Sequence, residues 1–289
     1  MCRCADVQMK FFNRQLPTAN CQLSTAYCQL STMSRIKELF ERKKQKILNV
    51  YFTAGFPALI NTLPIMQALQ NAGADMIELG MPYSDPLADG PVIQASSTRA
   101  LANGMTIRIL FEQLKGFRNK IHLPVLLMGY MNPILQYGFE NFCRETSEAG
   151  VDGLILPDLP MFEFENEFGS ILKKYKLDFV FLVTPETKEE RVRQLDQLSS
   201  GFLYAVSSSS TTGKNAAISG QAEYFRRLQS MKLKNPVLIG FGIRDKSSFS
   251  KACEFARGAI IGTAFIKILE NASEKDIPRL TNDFIKSLK

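Results

Sequence analysis

Ile47-Leu-Asn-Val-Tyr-Phe-Thr-Ala-Gly-Phe-Pro57 separates two classes of α/β architecture. Its first seven residues are an apolar run of strand length. The run ends in Ala-Gly-Phe-Pro, not in the G-x-G-x-x-G turn that opens a dinucleotide-binding open sheet. Beyond it, further short apolar runs lie at 76–80, 125–129, 153–156, 179–183, 202–207, 237–240 and 259–262. Amphipathic stretches separate them at 61–72, 106–120, 138–148, 186–198, 221–231 and 246–256. Strand-then-helix repeats require parallel pairing, and eight of them close most economically into a cylinder, which leaves no exposed edge. The expected fold class is therefore α/β, a (β/α)8 TIM barrel. A doubly wound open sheet is the alternative.

An extra N-terminal helix precedes the first strand: Ser34 is placed as an N-cap, with Ile36, Leu39 and Phe40 on one face. Upstream, Cys21-Gln-Leu-Ser-Thr25 is repeated as Cys28-Gln-Leu-Ser-Thr32, and no unbroken apolar segment of the kind a signal peptide needs is present. We expect 1–32 to be a disordered or misassigned leader and 33–289 to form one catalytic domain. That span is close to the ~250 residues of such a barrel.

Composition narrows the function. The formal charge of +7 arises from 35 basic and 28 acidic residues scattered together, without a basic stripe interleaved with aromatics, so no nucleic-acid partner is expected. No run approaches the ~18 apolar residues of a membrane span, so no membrane association is expected either. Four of the six cysteines, Cys2, Cys4, Cys21 and Cys28, lie in the leader, and only Cys143 and Cys253 in the body. That usage points to a reducing, cytoplasmic setting. The cysteine spacings do not match zinc pairs and His122 is the single histidine, so no metal site is expected. One histidine ahead of Pro124 cannot build a Ser-His-Asp triad, and no lysine sits within a strand to form a Schiff base. Carboxylate acid/base chemistry is what remains.

In this fold, chemistry gathers at the C-terminal ends of the strands. In Met76-Ile-Glu-Leu-Gly80, Ile77 and Leu79 share the helix-facing side, so alternation turns Glu78 into the barrel. A glutamate there gains a raised pKa from desolvation, suited to proton transfer near neutrality. The next loop carries Asp85 and Asp89, whose D-P and D-G settings fit either turn-making or catalysis. Glycine-bearing loops after the last three strands, Thr211-Thr-Gly213, Gly240-Phe-Gly-Ile243 and Gly262-Thr263, the last just ahead of a short apolar helix at 264–269, suit a phosphate held by backbone amides.

The unbroken stretch Ile77-Glu-Leu-Gly-Met-Pro-Tyr-Ser-Asp-Pro-Leu-Ala-Asp-Gly-Pro-Val-Ile-Gln94 resembles the tryptophan synthase alpha chains. So do Tyr51-Phe-Thr-Ala-Gly-Phe-Pro57, Tyr130-Met-Asn-Pro133, Leu156-Pro-Asp-Leu-Pro160, Thr211-Thr-Gly213, Gly240-Phe-Gly-Ile243 and Gly258-Ala-Ile-Ile-Gly-Thr263. The likeness runs from about Ser34 to the C-terminus. It implies a lyase that splits indole-3-glycerol phosphate into indole and glyceraldehyde 3-phosphate, with Glu78 and Asp89 catalytic. It implies substrate contacts from Tyr51, Met128, Tyr204 and Ile260, and a phosphate cradle from Thr212, Gly213, Gly242, Gly262 and Thr263. It also implies a beta-chain partner in an α2β2 tetramer, with pyridoxal phosphate in that partner and no cofactor in this chain. Ser207-Ser-Ser-Ser-Thr-Thr-Gly213 departs from relatives that carry Arg at 208 and Gly-Val before the Thr-Gly, which bears on loop closure. The competing readings are another phosphosugar barrel enzyme and a non-catalytic regulator of a beta chain.

Overall fold

The computed structural model describes residues 33–207, 221–240 and 242–289. The leader at 1–32, with Thr212 and Gly213, lies outside them. Ser34–Lys289 forms one compact unit. It opens with helix α1, Arg35–Arg42, where the Ser34 hydroxyl accepts from the Lys37 amide at 3.3 Å, an N-cap. Ile36, Leu39 and Phe40 are the buried face of α1, as their spacing predicts.

Nine strand segments come next: β1 Ile47–Thr53, β2 Met76–Gly80, β3 Val125–Met128, β4 Gly153–Ile155, β5 Asp178–Phe179, β6 Leu182–Val183, β7 Leu203–Val206, β8 Val237–Gly240 and β9 Gly258–Ile261. All pairings are parallel, in the order β5-β4-β3-β2-β1-β9-β8-β7-β6. The fifth expected strand, 179–183, is thus two short pieces. β5 pairs with β4 on one side and β6 with β7 on the other. Between them Val180 N–H donates to Leu154 O at 3.1 Å and Tyr204 N–H donates to Phe181 O at 3.0 Å, so the ladder continues and the sheet closes into the barrel. Phe179 and Phe181 both turn outward onto Phe164, with ring centroids 4.8 and 4.9 Å away.

The helices after α1 are α2 Thr62–Ala72, α3 Pro91–Ala102, α4 Ile107–Leu114, α5 Met131–Tyr137, α6 Phe139–Ala149, α7 Met161–Glu163, α8 Gly169–Lys174, α9 Glu189–Leu198, α10 Ala222–Ser230, α11 Lys246–Phe255, α12 Thr263–Leu269 and α13 Ile277–Leu288. A π-turn at Phe164–Phe168 joins α7 to α8. The expected helix 106–120 stops at Leu114, because Gly116 adopts a left-handed φ of 70° and restarts the chain as a 3-10 turn. Helices α3, α5, α7, α8 and α13 lie outside the periodic stretches read from sequence. Helix α3 hides behind Ser96, Ser97 and Thr98, yet Ser96 and Ser97 are buried, and the Ser96 and Thr53 hydroxyls lie 2.7 Å apart. Among the described residues, no helix is long and apolar enough to cross a membrane.

Candidate active site

Parallel pairing aligns Tyr51 of β1 with Glu78 of β2 and Leu126 of β3, and Thr53 with Gly80 and Met128 one layer higher. Register partners share a side of the sheet, so these form successive inward layers toward the C-terminal rim. Glu78 is fully buried, and its Oε2 accepts one hydrogen bond, from Asn49 Nδ2 at 3.0 Å. Among the described residues its Oε1 has no partner. Burial pushes the Glu78 carboxyl up to about 8, with the Asn49 hydrogen bond opposing and the charge of Asp89 assisting. At neutral pH the group stands within reach of both protonation states.

Asp89 lies in the β2–α3 loop, and its Oδ2 accepts from the Tyr130 hydroxyl at 3.1 Å. The same hydroxyl accepts from the Ala88 amide at 3.1 Å. Gln94 on α3 donates to the Asp89 carbonyl at 2.9 Å, and the Tyr83 and Tyr130 rings sit 5.4 Å apart. The loop is therefore clamped from the β3 side and from α3. Burial raises Asp89 to about 6, opposed by the Tyr130 hydrogen bond. Asp85 has the bland role: its carboxylate accepts from the adjacent Ser84 hydroxyl at an exposed turn. The two aspartates that spacing alone left equivalent thus part company.

Tyr51 and Tyr204 complete the rim. Burial pushes both hydroxyls well above the ordinary range, helped for Tyr51 first by Asp89 and for Tyr204 by Glu78 and then Asp89. Both stay neutral donors. Their rings lie against strand-end backbone: a Cβ at Gly80 would collide with the Tyr51 ring, and one at Gly240 with the Tyr204 ring. Glycine at those two ends makes room for the aromatics. Gly262 also adjoins Tyr51, at 3.1 Å from a would-be Cβ to the ring, and precedes α12, with Thr263 exposed. Gly242, exposed at φ 74°, lies just past β8. Met128 ends β3 opposite Gly80, while Ile260 pairs with Asn49 one layer below Tyr51. A cavity of about 790 Å³ opens at the other end of the barrel, lined by residues such as Ser34, Asp178, Asn235 and Arg257, away from these groups.

Residues 37–286 match the family model described as tryptophan synthase alpha chain. The tryptophan synthase alpha chain of Flavobacterium psychrophilum is 50% identical over 252 residues, covering 87% of this chain and 99% of the relative. The chain belongs to the tryptophan synthase alpha chain family. The solved tryptophan synthase subunit alpha of Legionella pneumophila is 36% identical with a TM-score of 0.80, covering 89% of this chain and 97% of that one. The Mycobacterium tuberculosis tryptophan synthase chain, 29% identical, superposes at a TM-score of 0.77 over 89% of this chain and 100% of its own. As a member of this family the chain is a lyase of tryptophan biosynthesis, and cleavage of indole-3-glycerol phosphate is the reaction that this family carries out.

Of the residues singled out in sequence, Glu78, Asp89, Tyr51, Tyr204, Met128 and Gly262 gather at one rim, and Ile260 lies beneath them. Asn49 and Tyr130 had not been given roles. Tyr130 stood in a quoted motif without an assignment. Asn49 left a weaker signal, a polar residue inside an apolar run and in phase with Tyr51.

Proposed function

We propose that Glu78 and Asp89 are the two catalytic carboxylates of this cleavage. The observation that carries the assignment is Glu78, an inward carboxyl at the working end of β2, fully buried, with one oxygen unpartnered and its pKa lifted toward neutrality. Protonated Glu78 delivers its proton to indole C3. The positive charge then falls on the ring nitrogen, whose N–H donates to ionised Asp89. In the second step the glycerol hydroxyl next to the ring gives up its proton, to Glu78 or to a group near Tyr204. The bond from C3 to that carbon breaks, its electron pair restores the indole, and the carbon becomes the aldehyde of glyceraldehyde 3-phosphate. Tyr51 and Met128, with Ile260 below, supply the apolar wall. The phosphate falls to the amides around Gly242, Gly262 and Thr263, together with Thr212 and Gly213.

The same reading gives the chain a beta-chain partner carrying pyridoxal phosphate, in an α2β2 assembly, with no cofactor of its own. Membership of the family and likeness to the Mycobacterium tuberculosis tryptophan synthase chain support it. It also takes 33–289 as the catalytic domain and 1–32 as dispensable.

The test is indole release from indole-3-glycerol phosphate, with and without a beta chain. Glu78→Gln lowers turnover by at least ~10²-fold with KM little changed, as for a group that acts mainly in the transition state. The pH profile of kcat/KM rises through about 6 as Asp89 ionises and falls through about 8 as Glu78 loses its proton. Normal indole release by Glu78→Gln removes the assignment.

A further inference from the structure

We propose that Asn49 is a positioning residue for the reaction: its amide selects which oxygen of Glu78 carries the proton and holds that oxygen toward the substrate. The proposal rests on the reading of Glu78 as the proton donor. Asn49 and Glu78 are both wholly buried, and among the described residues the bond from Asn49 Nδ2 to Glu78 Oε2, 3.0 Å long, is the single hydrogen bond that the Glu78 side chain makes. Register puts Asn49 opposite Met76, so it reaches Glu78 diagonally from the layer beneath. The contact therefore comes from the barrel floor and engages Oε2 alone.

Donor and acceptor chemistry fixes the proton. An amide N–H needs an acceptor, so in the neutral acid Oε2 must be the carbonyl oxygen and the proton must sit on Oε1. Exchanging the two oxygens would set the acid O–H against the amide N–H. When Oε1 gives up its proton, the negative charge that forms is shared with Oε2, and the bond from Asn49 becomes charge-assisted and stronger. Asn49 thus favours the product of the first proton transfer over its reactant. It works against burial, which holds the proton on.

The rest of the pair argues against a purely structural role. Among the described residues Asn49 Oδ1 has no partner, and neither has Glu78 Oε1. A leucine at position 49 would fill similar space beside Ile260, its register neighbour on β9, without stranding an acceptor. The titratable groups whose fields reach Glu78 or its neighbours here are Asp89 from the β2–α3 loop, Tyr51 from β1 and Tyr204 from β7. All three are untouched by a change at position 49.

The experiment measures indole release by Asn49→Leu across about pH 5 to about pH 10. Loss of the amide moves the alkaline limb of kcat/KM upward by about one pH unit and lowers kcat about 10-fold, with KM within about twofold. Asn49→Ala, which adds no volume, shows the same upward shift if the leucine variant does not fold. The double variant Glu78→Gln/Asn49→Leu is no slower than Glu78→Gln, because the two residues act as a unit. An unmoved limb overturns the proposal, whatever happens to kcat. A downward shift also overturns it, since it would mean that the Asn49 oxygen accepts the Glu78 proton. Normal cleavage by Glu78→Gln would instead sink the catalytic reading of Glu78, a result distinguishable from either.

Discussion

Asp152 and Glu78 are buried carboxylates at opposite ends of one barrel, and their surroundings differ in kind. Asp152, just ahead of β4, is bound by Arg35 of α1 at 2.8 Å, by Arg118, and by the Val125 amide at 2.7 Å. Arg118 in turn donates to the carbonyls of Gly150 and Leu123 at 2.8 and 2.6 Å. The carboxylate therefore ties α1, β3 and β4 together with both of its oxygens engaged. Glu78 has one amide partner and a stranded oxygen. Desolvation acts on both groups. At the lower end the buried charge is paired with cations, and at the upper end burial acts on the Glu78 proton. A fully paired carboxylate has little left to offer a substrate. An underpaired one is poised to exchange a proton, at a cost to the folded state.

Removing Asp152 tests the structural half of this contrast and carries the largest effect. Asp152→Ala leaves the half-buried Arg118 uncompensated and costs about 3 kcal/mol in urea unfolding. Cleavage per folded molecule stays within about twofold, since the network lies at the far end of the barrel. A stable variant with slow cleavage would show that the two ends do not divide the work in this way.

The functional half predicts a stability that depends on pH. The folded value for Glu78, about 8, is raised above the ordinary glutamate value of 4.5. Its neutral form is therefore favoured by folding, so this contribution is fully present below about 4.5 and is lost as pH rises through about 8. Glu78→Gln removes the titration. Relative to the parent protein it gains about 2 kcal/mol near pH 9, the scale of relieving an unpaired buried group, and almost nothing near pH 4. Equal stability differences at both pH values would mean that the Glu78 charge is better solvated than its burial implies.

Much of this contrast was legible in sequence, and the limits have physical causes. The inward turn of Glu78 could be read from Ile77 and Leu79 on the other face, because strand alternation is local. Asn49 obeys the same alternation, but its meaning depends on the register between β1 and β2, which no local pattern carries. The Tyr130 hydroxyl meets Asp89 across 41 positions of chain, so the clamp exists only once β3 lies beside β2. Helix α3 escaped because its buried side uses Ser96 and Ser97 where an apolar stripe is expected. The break in 179–183 escaped because a run of apolar residues does not reveal where its two neighbours in the sheet exchange. The glycine-bearing loops could be placed after the last strands because Gly242 and Gly262 follow β8 and β9 closely, while Thr212 and Gly213 fall outside the described residues.

The smallest effect belongs to Ser34, and it separates two explanations for the lower end. Helix α1 brings Arg35 to Asp152, but α1 is held in several other ways too: by the cap, by its apolar face, by the Ser34 hydroxyl against Asp178, and by Lys43 at its end paired with Asp75. The Ser34 hydroxyl meets the Lys37 amide at 3.3 Å, a long bond at a partly exposed position. Ile36 and Leu39 are almost wholly buried, and the Phe40 ring stands 6.1 Å from that of Phe202. Those apolar contacts persist when the cap is lost, so Ser34→Ala costs about 1 kcal/mol or less and leaves cleavage unchanged. Hydrogen exchange should open only in the first turn of α1. If Ser34→Ala instead costs as much as Asp152→Ala, the whole helix detaches when its first turn frays, and Asp152 owes its importance to the docking of α1. A small effect with local exchange leaves the Asp152 network, anchored chiefly by Arg118 and β3, as the element that holds the lower end together.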